Sequence, residues 1–400
     1  MPKNNAPAIV LSHGQGGLGA VRSLARCGIQ VLAIAFDASD PVLYSRHPVQ
    51  IIVVPDGNDE DKEQHVLEIL DSLPNNDSVL MTTSDRLVSL ISDHRNDLHN
   101  KFHFKLPSKE TLDALNDKSK EIDLIESLGF AVPKTITTLP ADPADLAQRL
   151  RFPIIFKPHS YAVQELFPKK NEVVRDLVEL GEFYQQWIRA LPALLAQEVI
   201  VGPDSYSWIC SCTFDQESRL LDCGVKKKIR AMPAHFGGST FAVCRNNDDI
   251  VELARELGKR LEYVGHAGIE FRWDDRDQLY KYIELNPRFP ANVGFDEACG
   301  LPTAWNSYKV SLGDSAVCSG IEQDEGIYFV DLPGDLSSLL VDKTPPWKIA
   351  TTTLALLFKR TSGLYFAWDD PKPGIVVAYR FVTRWCGKVY MRITHQALGN

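Results

Sequence analysis

Apolar positions in the first hundred residues come in short blocks separated by amphipathic stretches. Residues 8–11, 31–36, 51–54 and 78–81 are compact apolar runs of strand length and predict four strands. Residues 20–27 predict a helix stopped by Gly28, and residues 64–73 an amphipathic helix. Residues 14–19 between them read as a glycine-rich turn. This alternation predicts an α/β, doubly wound parallel sheet. Near Lys105 the rhythm changes. Leu106, Pro107 and Ser108 read as a linker entering a helix cap, and Leu112, Leu115, Ile122, Ile125 and Leu128 recur at helical spacing up to Gly129. From 153 to 268, strands and helices alternate with hairpin-like pairs, an α+β pattern. Beyond about residue 311 the pattern is weaker, with a turn at 369–374 and a strand-like run at 375–381. No internal repeat is visible.

One pair of segments names a chemistry. Gly268-Ile269-Glu270-Phe271-Arg272-Trp273 and Tyr282-Ile283-Glu284-Leu285-Asn286-Pro287-Arg288-Phe289 flank a short polar turn. Side chains alternate along a strand, so Glu270 and Arg272 share one face, and Glu284 and Asn286 share a face of the second strand with Ile283 and Leu285 opposite. The turn is centred so that Glu270 pairs with Glu284. Opposed carboxylates repel, and a divalent cation such as Mg²⁺ removes the repulsion. The expectation is a metal site at Glu270, Glu284 and Asn286 beside the cationic Arg288. The plainer reading is a salt-bridge ladder with Arg272 and Arg288.

Composition narrows the classes. Four hundred residues exceed one ordinary core, so two or three domains are expected. An apolar share of 44% with 24% charged residues is that of a soluble globular chain. A net charge of -9 argues against nucleic acid as the main partner. No apolar run has transmembrane length. The N-terminus enters a strand directly and does not read as a signal peptide, so the expected location is cytoplasmic, with no membrane partner. The eight cysteines form no CxxC pair. Cys210 and Cys212 share a strand face, and a zinc site there needs partners such as Cys223 or Cys244; otherwise they are buried free thiols.

Four more segments carry candidate chemistry. Gly14-Gln15-Gly16-Gly17-Leu18-Gly19 satisfies GxGxxG after a strand, with Asp37 where a ribose-binding acid belongs, so a dinucleotide site competes with a purely structural turn. Lys157 ends an apolar strand at a cleft edge, or snorkels on the surface. Gln197-Glu198-Val199-Ile200 leads into Gly202, Pro203 and Asp204; this backbone can bond the edge of a flat base and Asp204 a ribose hydroxyl, or the segment is a solvent-facing edge. The basic run 226–230, with Lys228 and Arg230, precedes Gly237-Gly238-Ser239-Thr240, a loop suited to fold over phosphates, or it is a solvated face.

Taken in order, Asn116-Asp117-Lys118, Phe156-Lys157-Pro158, Gln197-to-Gly202, the 228–240 loop, Gly268-Ile269-Glu270-Phe271 and Glu284-Leu285-Asn286-Pro287-Arg288 resemble the ATP-grasp superfamily of carboxylate–amine ligases. The likeness covers about residues 1–310 and leans toward the amino-acid and peptide ligase branch that includes D-aspartate ligase-like enzymes. It implies a nucleotide-fold-like domain at 1–105, two ATP-gripping subdomains at 106–195 and 196–310, and a C-terminal α+β extension at 311–400. It further implies that Lys118 and Lys157 contact phosphates. Glu198 with the backbone of Val199 and Ile200, next to Gln197, would hold adenine, and Asp204 the ribose. Gly237, Gly238 and Ser239 would cover the phosphates. Glu270, Glu284 and Asn286 would bind two Mg²⁺, or Mn²⁺ in their place. Arg288, with Lys228 and Arg230, would serve the phosphoryl transfer.

The expected activity is ATP-dependent amide formation from a small carboxylate and an amine, amino acids or a short peptide, through an acylphosphate. Ser45, Arg46, Ser84, Asp85 and Arg230 are candidate substrate contacts, and a homodimer is compatible with the sequence. Two rivals remain at this point: an NAD(P)-dependent oxidoreductase built on residues 14–19, and a catalytically silent ATP-binding protein.

Overall fold

The computed structural model describes residues 6–74, 77–159, 166–233, 237–314, 320 and 322–383. The first sheet is parallel: β1 (Ala8–Ser12), β2 (Val31–Ala35), β3 (Gln50–Val53), β4 (Ser78–Thr82) and β5 (Phe102–His103), in spatial order β3-β2-β1-β4-β5. β1 and β4 are buried at every position, as strands covered on both faces must be. Ala8 and Val10 pack into one core, Ile9 and Leu11 into another. The strand order reverses between β1 and β4, so the loops after them face an open crevice.

The glycines after β1 lie inside a helix, Gln15–Arg26, rather than in an open turn. Gly14 precedes it at φ 74, which favours glycine. A Cβ on Gly16 would stand 3.3 Å from the Pro290 carbonyl oxygen, and one on Gly19 would stand 2.9 Å from the Gly294 nitrogen. These glycines let the helix approach residues 289–294, and the anion place at its start is filled by Asp40, whose carboxylate accepts from Gly14 N–H at 3.0 Å.

The second sheet is antiparallel, with β6 (Thr135–Ile136), β7 (Ile154–Pro158), β8 (Glu172–Val174) and β9 (Leu194–Glu198) in order β6-β9-β7-β8. Before it, the predicted helix over 109–128 is two helices, Lys109–Leu115 and Lys118–Ser127. Asp117 divides them by capping the second, accepting from the backbone of Ser119 and Lys120. Ser108 caps the first as expected, accepting from Thr111 N–H.

The third sheet has β10 (Ser207–Phe214), β11 (Leu220–Met232), β12 (Gly238–Cys244), β13 (Gly265–Asp274), β14 (Leu279–Asn286), β15 (Tyr328–Val330) and β16 (Thr361–Gly363), ordered β14-β13-β10-β11-β12-β15-β16. Its period-two pattern separates two faces. Trp208, Cys210, Cys212, Phe214, Ala267, Ile269, Phe271 and Leu285 bury one face in a core shared with helix Asp248–Arg260. Ser211, Thr213, Lys226, Lys228, Glu270 and Arg272 occupy the other.

The C-terminal part completes this sheet and returns to the first one. β15 pairs with β12, and β16 lies parallel to β15. Asp370 accepts from Arg22 Nε at 2.9 Å and from Ser45 Oγ at 2.7 Å. Residues 372–383 are helical, which corrects the strand expected at 375–381. The β-branched run there resembles a strand, but prolines are tolerated in the first turn of a helix, and Pro373 sits there. Among the described residues, no helix is long and apolar enough to cross a membrane.

Candidate functional site

A cavity of about 1110 Å³ lies between the second and third sheets. One end is an apolar slot lined by Ile155, Leu195, Ile200, Ile209 and Ile283. Ile283 was expected on the far side of its strand with Leu285. A bulge makes Glu270 face Glu284 while the next residue, Phe271, faces Tyr282, so Ile283 is the extra residue and reaches the cavity. Leu285 stays in the core.

The chain from 199 to 202 forms the rim of this slot and is braced from below. Arg272 donates from Nε to the Ile200 carbonyl at 3.2 Å and from Nη2 to the Gly202 carbonyl at 2.7 Å. Arg276 Nη2 donates to the Val199 carbonyl at 2.8 Å. Arg272 therefore serves the rim and does not form a ladder with the hairpin acids. Gly202 is required by contact, since a Cβ there would come within 2.4 Å of the Tyr206 ring.

The polar pair at the end of β9 splits between two faces. Gln197 accepts from Lys157 Nζ at 2.8 Å and donates to Thr135 Oγ1 at 2.8 Å. Glu198 turns the other way, and its carboxylate accepts from Arg151 N–H at 2.9 Å and Arg151 Nε at 2.8 Å. The side chain of Glu198 is thus committed to Arg151, and it is the backbone of 198–202 that edges the slot. Asp204 begins a short helical turn, Asp204–Tyr206, and is not part of the cavity lining.

Toward the other end the lining becomes charged. Lys157, at the end of β7, is half-buried, and burial together with the nearby Lys118 lowers its pKa to about 8. Lys118 donates to Glu121 at 2.9 Å. Glu121 is buried and also accepts from Tyr282 Oη at 2.6 Å and from Leu285 N–H at 3.2 Å, so it ties the Lys118 helix to β14. Gly237, Gly238 and Ser239 line the cavity. Ala234, His235 and Phe236 of the predicted phosphate loop lie outside the described residues.

Glu270 and Glu284 face one another in register, as the turn length predicts, and Asn286 sits opposite Gly268. The buried Lys228 donates to both oxygens of Glu270 at 2.9 and 3.0 Å. Asn286 Nδ2 donates to Glu284 Oε1 at 3.2 Å. Burial opposes the charge of Glu284, but Lys118, the Asn286 bond and Lys228 outweigh it and hold its pKa below the ordinary value. Two carboxylates and an amide oxygen, all lining one cavity, are a donor set that fits a hard divalent cation. Arg288 lines the cavity too and is held by Asp85, at the start of the helix after β4, with Nε 2.9 Å from Oδ1.

Other expected contacts are otherwise engaged. Arg230 makes a bidentate pair with Asp335, at 2.6 and 2.7 Å, and stacks over Phe241. It does not line the cavity. Ser45 Oγ and Arg46 N–H both donate to Asp370, and Ser84 Oγ lies 3.2 Å from His13 Nδ1. The structure also adds lining that the sequence did not signal: Phe329, Asp331 and Gly334 reach the cavity from the segment beyond residue 311. Only their pairing beside β12 brings them there.

No family model matches the chain. A carbamoyl phosphate synthase large chain from Methanothermobacter thermautotrophicus is 25% identical over 251 residues, 56% of this chain and 22% of that protein. A D-aspartate ligase from Enterococcus faecium is 24% identical over 224 residues, 52% of this chain and 53% of that protein. The matches thus span about half or less of these relatives. Among solved structures, a Campylobacter jejuni biotin carboxylase described as a complex with β,γ-ATP superposes with a TM-score of 0.62 at 15% identity, over 80% of this chain and 74% of the other. A Staphylococcus aureus N5-carboxyaminoimidazole synthetase complexed with ADP gives 0.61 at 17% identity, over 80% of both chains. An L-amino acid ligase from Bacillus licheniformis gives 0.57 at 16%, over 77% of this chain and 75% of the other. The chain has the ATP-grasp fold, with a parallel N-terminal sheet, an antiparallel second sheet facing a mixed third sheet, and a C-terminal extension.

Proposed function

We propose that this chain is an ATP-dependent ligase that joins a carboxylate to an amine. The observation that carries the reading is one cavity with two ends: an apolar slot edged by the backbone of 198–202, and a charged end with Glu270, Glu284, Asn286, Lys118, Lys157 and Arg288. A flat base fits the slot, and a triphosphate needs the cations and metal ligands beyond it.

The roles follow from position. Residues 198–202 bond the base edge, and Arg272 and Arg276 keep that rim in place. Lys118 and Lys157 neutralise phosphate oxygens, and residues 237–239 cover them. Glu270, Glu284 and Asn286 would hold Mg²⁺, which when bound supplies charge to the phosphoryl oxygens. Arg288 aims positive charge at the phosphoryl group during transfer, where positioning and charge matter most. The substrate carboxylate takes the γ-phosphoryl group with release of ADP; the amine then displaces phosphate from the acyl carbon. Covering the site keeps water from the acylphosphate.

The finer reading, an amino acid or short peptide as substrate, is supported by the D-aspartate ligase match, which spans more of its relative than the carbamoyl phosphate synthase match does. The oxidoreductase reading loses support from Asp40, which occupies the helix start where a pyrophosphate would sit. The test is ADP release from ATP and Mg²⁺ across pairs of amino acids and small carboxylic acids, with mass spectrometry of the product. Pair-dependent ADP release is expected, with loss of turnover but not of fold in Glu284→Gln. Full activity in that variant, or no ADP release with any pair, defeats the proposal.

A further inference from the structure

On the oily face of the third sheet, away from the cleft, three thiols converge. Cys210 and Cys212 project from the same side of β10, and Cys223 on β11 is the cross-strand partner of Cys212. The three sulfur atoms all lie within 4.8 Å of one another, and Cys212 Sγ is 3.6 Å from Cys223 Sγ. In a tetrahedral thiolate site with metal–sulfur bonds of about 2.3 Å, neighbouring sulfurs stand roughly 3.8 Å apart. The Cys212–Cys223 separation matches one edge of such a tetrahedron and is far longer than the roughly 2 Å of a disulfide.

The structure also selects among the cysteines. Cys244, the other partner open from sequence, belongs to the opposite side of the sheet, where it packs with Cys299 and Phe295. Cys210 and Cys212 are fully buried, whereas Cys223 is half-buried and gives the cluster an outlet. Three thiolates alone would be costly in an apolar core. A soft divalent cation offsets that cost, and Arg255, on the helix covering this face, adds positive charge near Cys223.

We propose that Cys210, Cys212 and Cys223 form a three-thiolate site for a soft divalent metal of the zinc and cadmium class, with a fourth position open toward Cys223. On binding, three S–H bonds are lost, three protons go to solvent and three sulfur–metal bonds form, with no change of oxidation state. The occupied site ties β10 to β11 on the face opposite Lys226, in the strand that goes on to carry Lys228 into the cleft.

Cadmium is the probe, because its thiolate charge-transfer band in the ultraviolet reports sulfur ligation and oxygen ligands at Glu270 and Glu284 give none. The full chain, treated with chelator and kept reduced, is titrated with cadmium chloride. The band is expected to saturate at one equivalent, to vanish in Cys223→Ser and to persist in Cys244→Ser. In the wild-type chain, cadmium should also shield Cys210, Cys212 and Cys223 from iodoacetamide, as read by peptide mass spectrometry. That second measurement does not depend on the folding of a variant. Absence of the band, a band undiminished in Cys223→Ser, or alkylation unchanged by cadmium overturns the proposal and leaves three packing thiols.

Discussion

Arg288, two residues past the end of β14, is held by Asp85, the first residue of the helix that follows β4, with Nε and Oδ1 2.9 Å apart. Its Nη2 also reaches toward Asn286 Oδ1 at 3.4 Å. The guanidinium is therefore oriented from two directions, one of them a helix start 203 residues earlier in the chain.

Asp85 is accordingly expected to position Arg288. A hydrogen bond to a charged group contributes about 1.5–3 kcal/mol, which corresponds to roughly 10- to 100-fold in rate. Asp85→Ala should lower kcat for ADP release by that factor while changing the KM for ATP little. Asp85→Glu should recover part of the loss. Steady-state kinetics on both variants checks this; an equal rise in KM with unchanged kcat would place Asp85 in ground-state binding.

If the proposed function holds, Lys157 should make nucleotide binding depend on pH. Burial and Lys118 bring its pKa to about 8, against 10.5 for a free lysine. Phosphate requires the charged form, so above pH 8 binding must take up a proton, and ATP affinity should fall as pH rises from 8 to 10. The folding linkage has the opposite sign. Between 8 and 10.5 the unfolded chain keeps a proton that the folded chain has released, so this group favours folding more as pH climbs through that window. Calorimetric titration with ATP across this range should show the decline, and Lys157→Met should flatten it.

Asp222 gives an acid-side signature. Burial pushes its pKa up to about 7, against the bonds from Asn306 and Thr213 and with the like charge of Asp296. Between about 4 and 7 the folded chain holds a proton that the unfolded chain lacks, so this group's contribution to stability falls as pH rises through that interval. Asp222→Asn keeps an acceptor for Asn306 without the ionisation. Urea midpoints at pH 5 and 7.5 should differ less in the variant.

Gly258 tests packing against helix propensity. Alanine in place of a helical glycine gains up to about 1 kcal/mol, but a Cβ at Gly258, in the last turn of its helix, would come within 2.0 Å of the Phe214 ring. Overpacking costs about 1–3 kcal/mol. Gly258→Ala should therefore lower the thermal midpoint despite the better helix former.

Arg230 separates structure from chemistry. Asp335→Ala would strand a largely buried guanidinium and should destabilise the fold by about 3 kcal/mol. The double variant Arg230→Met with Asp335→Leu should recover most of that loss. If it also retains ADP release, Arg230 braces the fold; if it is stable but inactive, Arg230 acts on substrate.

The legible part of this chain was the part whose partners are near in sequence. The alternation from Ala8 to Thr82 is local, and so is the Glu270–Glu284 register set by one short turn. Ile283 escaped because a bulge is a defect in the very alternation being read. Glu198 and Arg230 were recognised as polar residues near a cleft, but their partners, Arg151 and Asp335, lie 47 and 105 residues away and no local pattern announces them. The helix over 372–383 was misread because Ile375, Val376 and Val377 imitate a strand, while the preceding prolines permit a helix start.

Arg22 and Asp370 meet across 348 residues of chain. During synthesis the first sheet emerges with Arg22 unmatched, and its counter-charge follows only when nearly all of the described chain has been translated. A buried guanidinium without its carboxylate is strongly unfavourable. The Arg22–Asp370 pair therefore cannot close until residue 370 has emerged, and a ribosome stalled before it would display a first sheet still waiting for that anion.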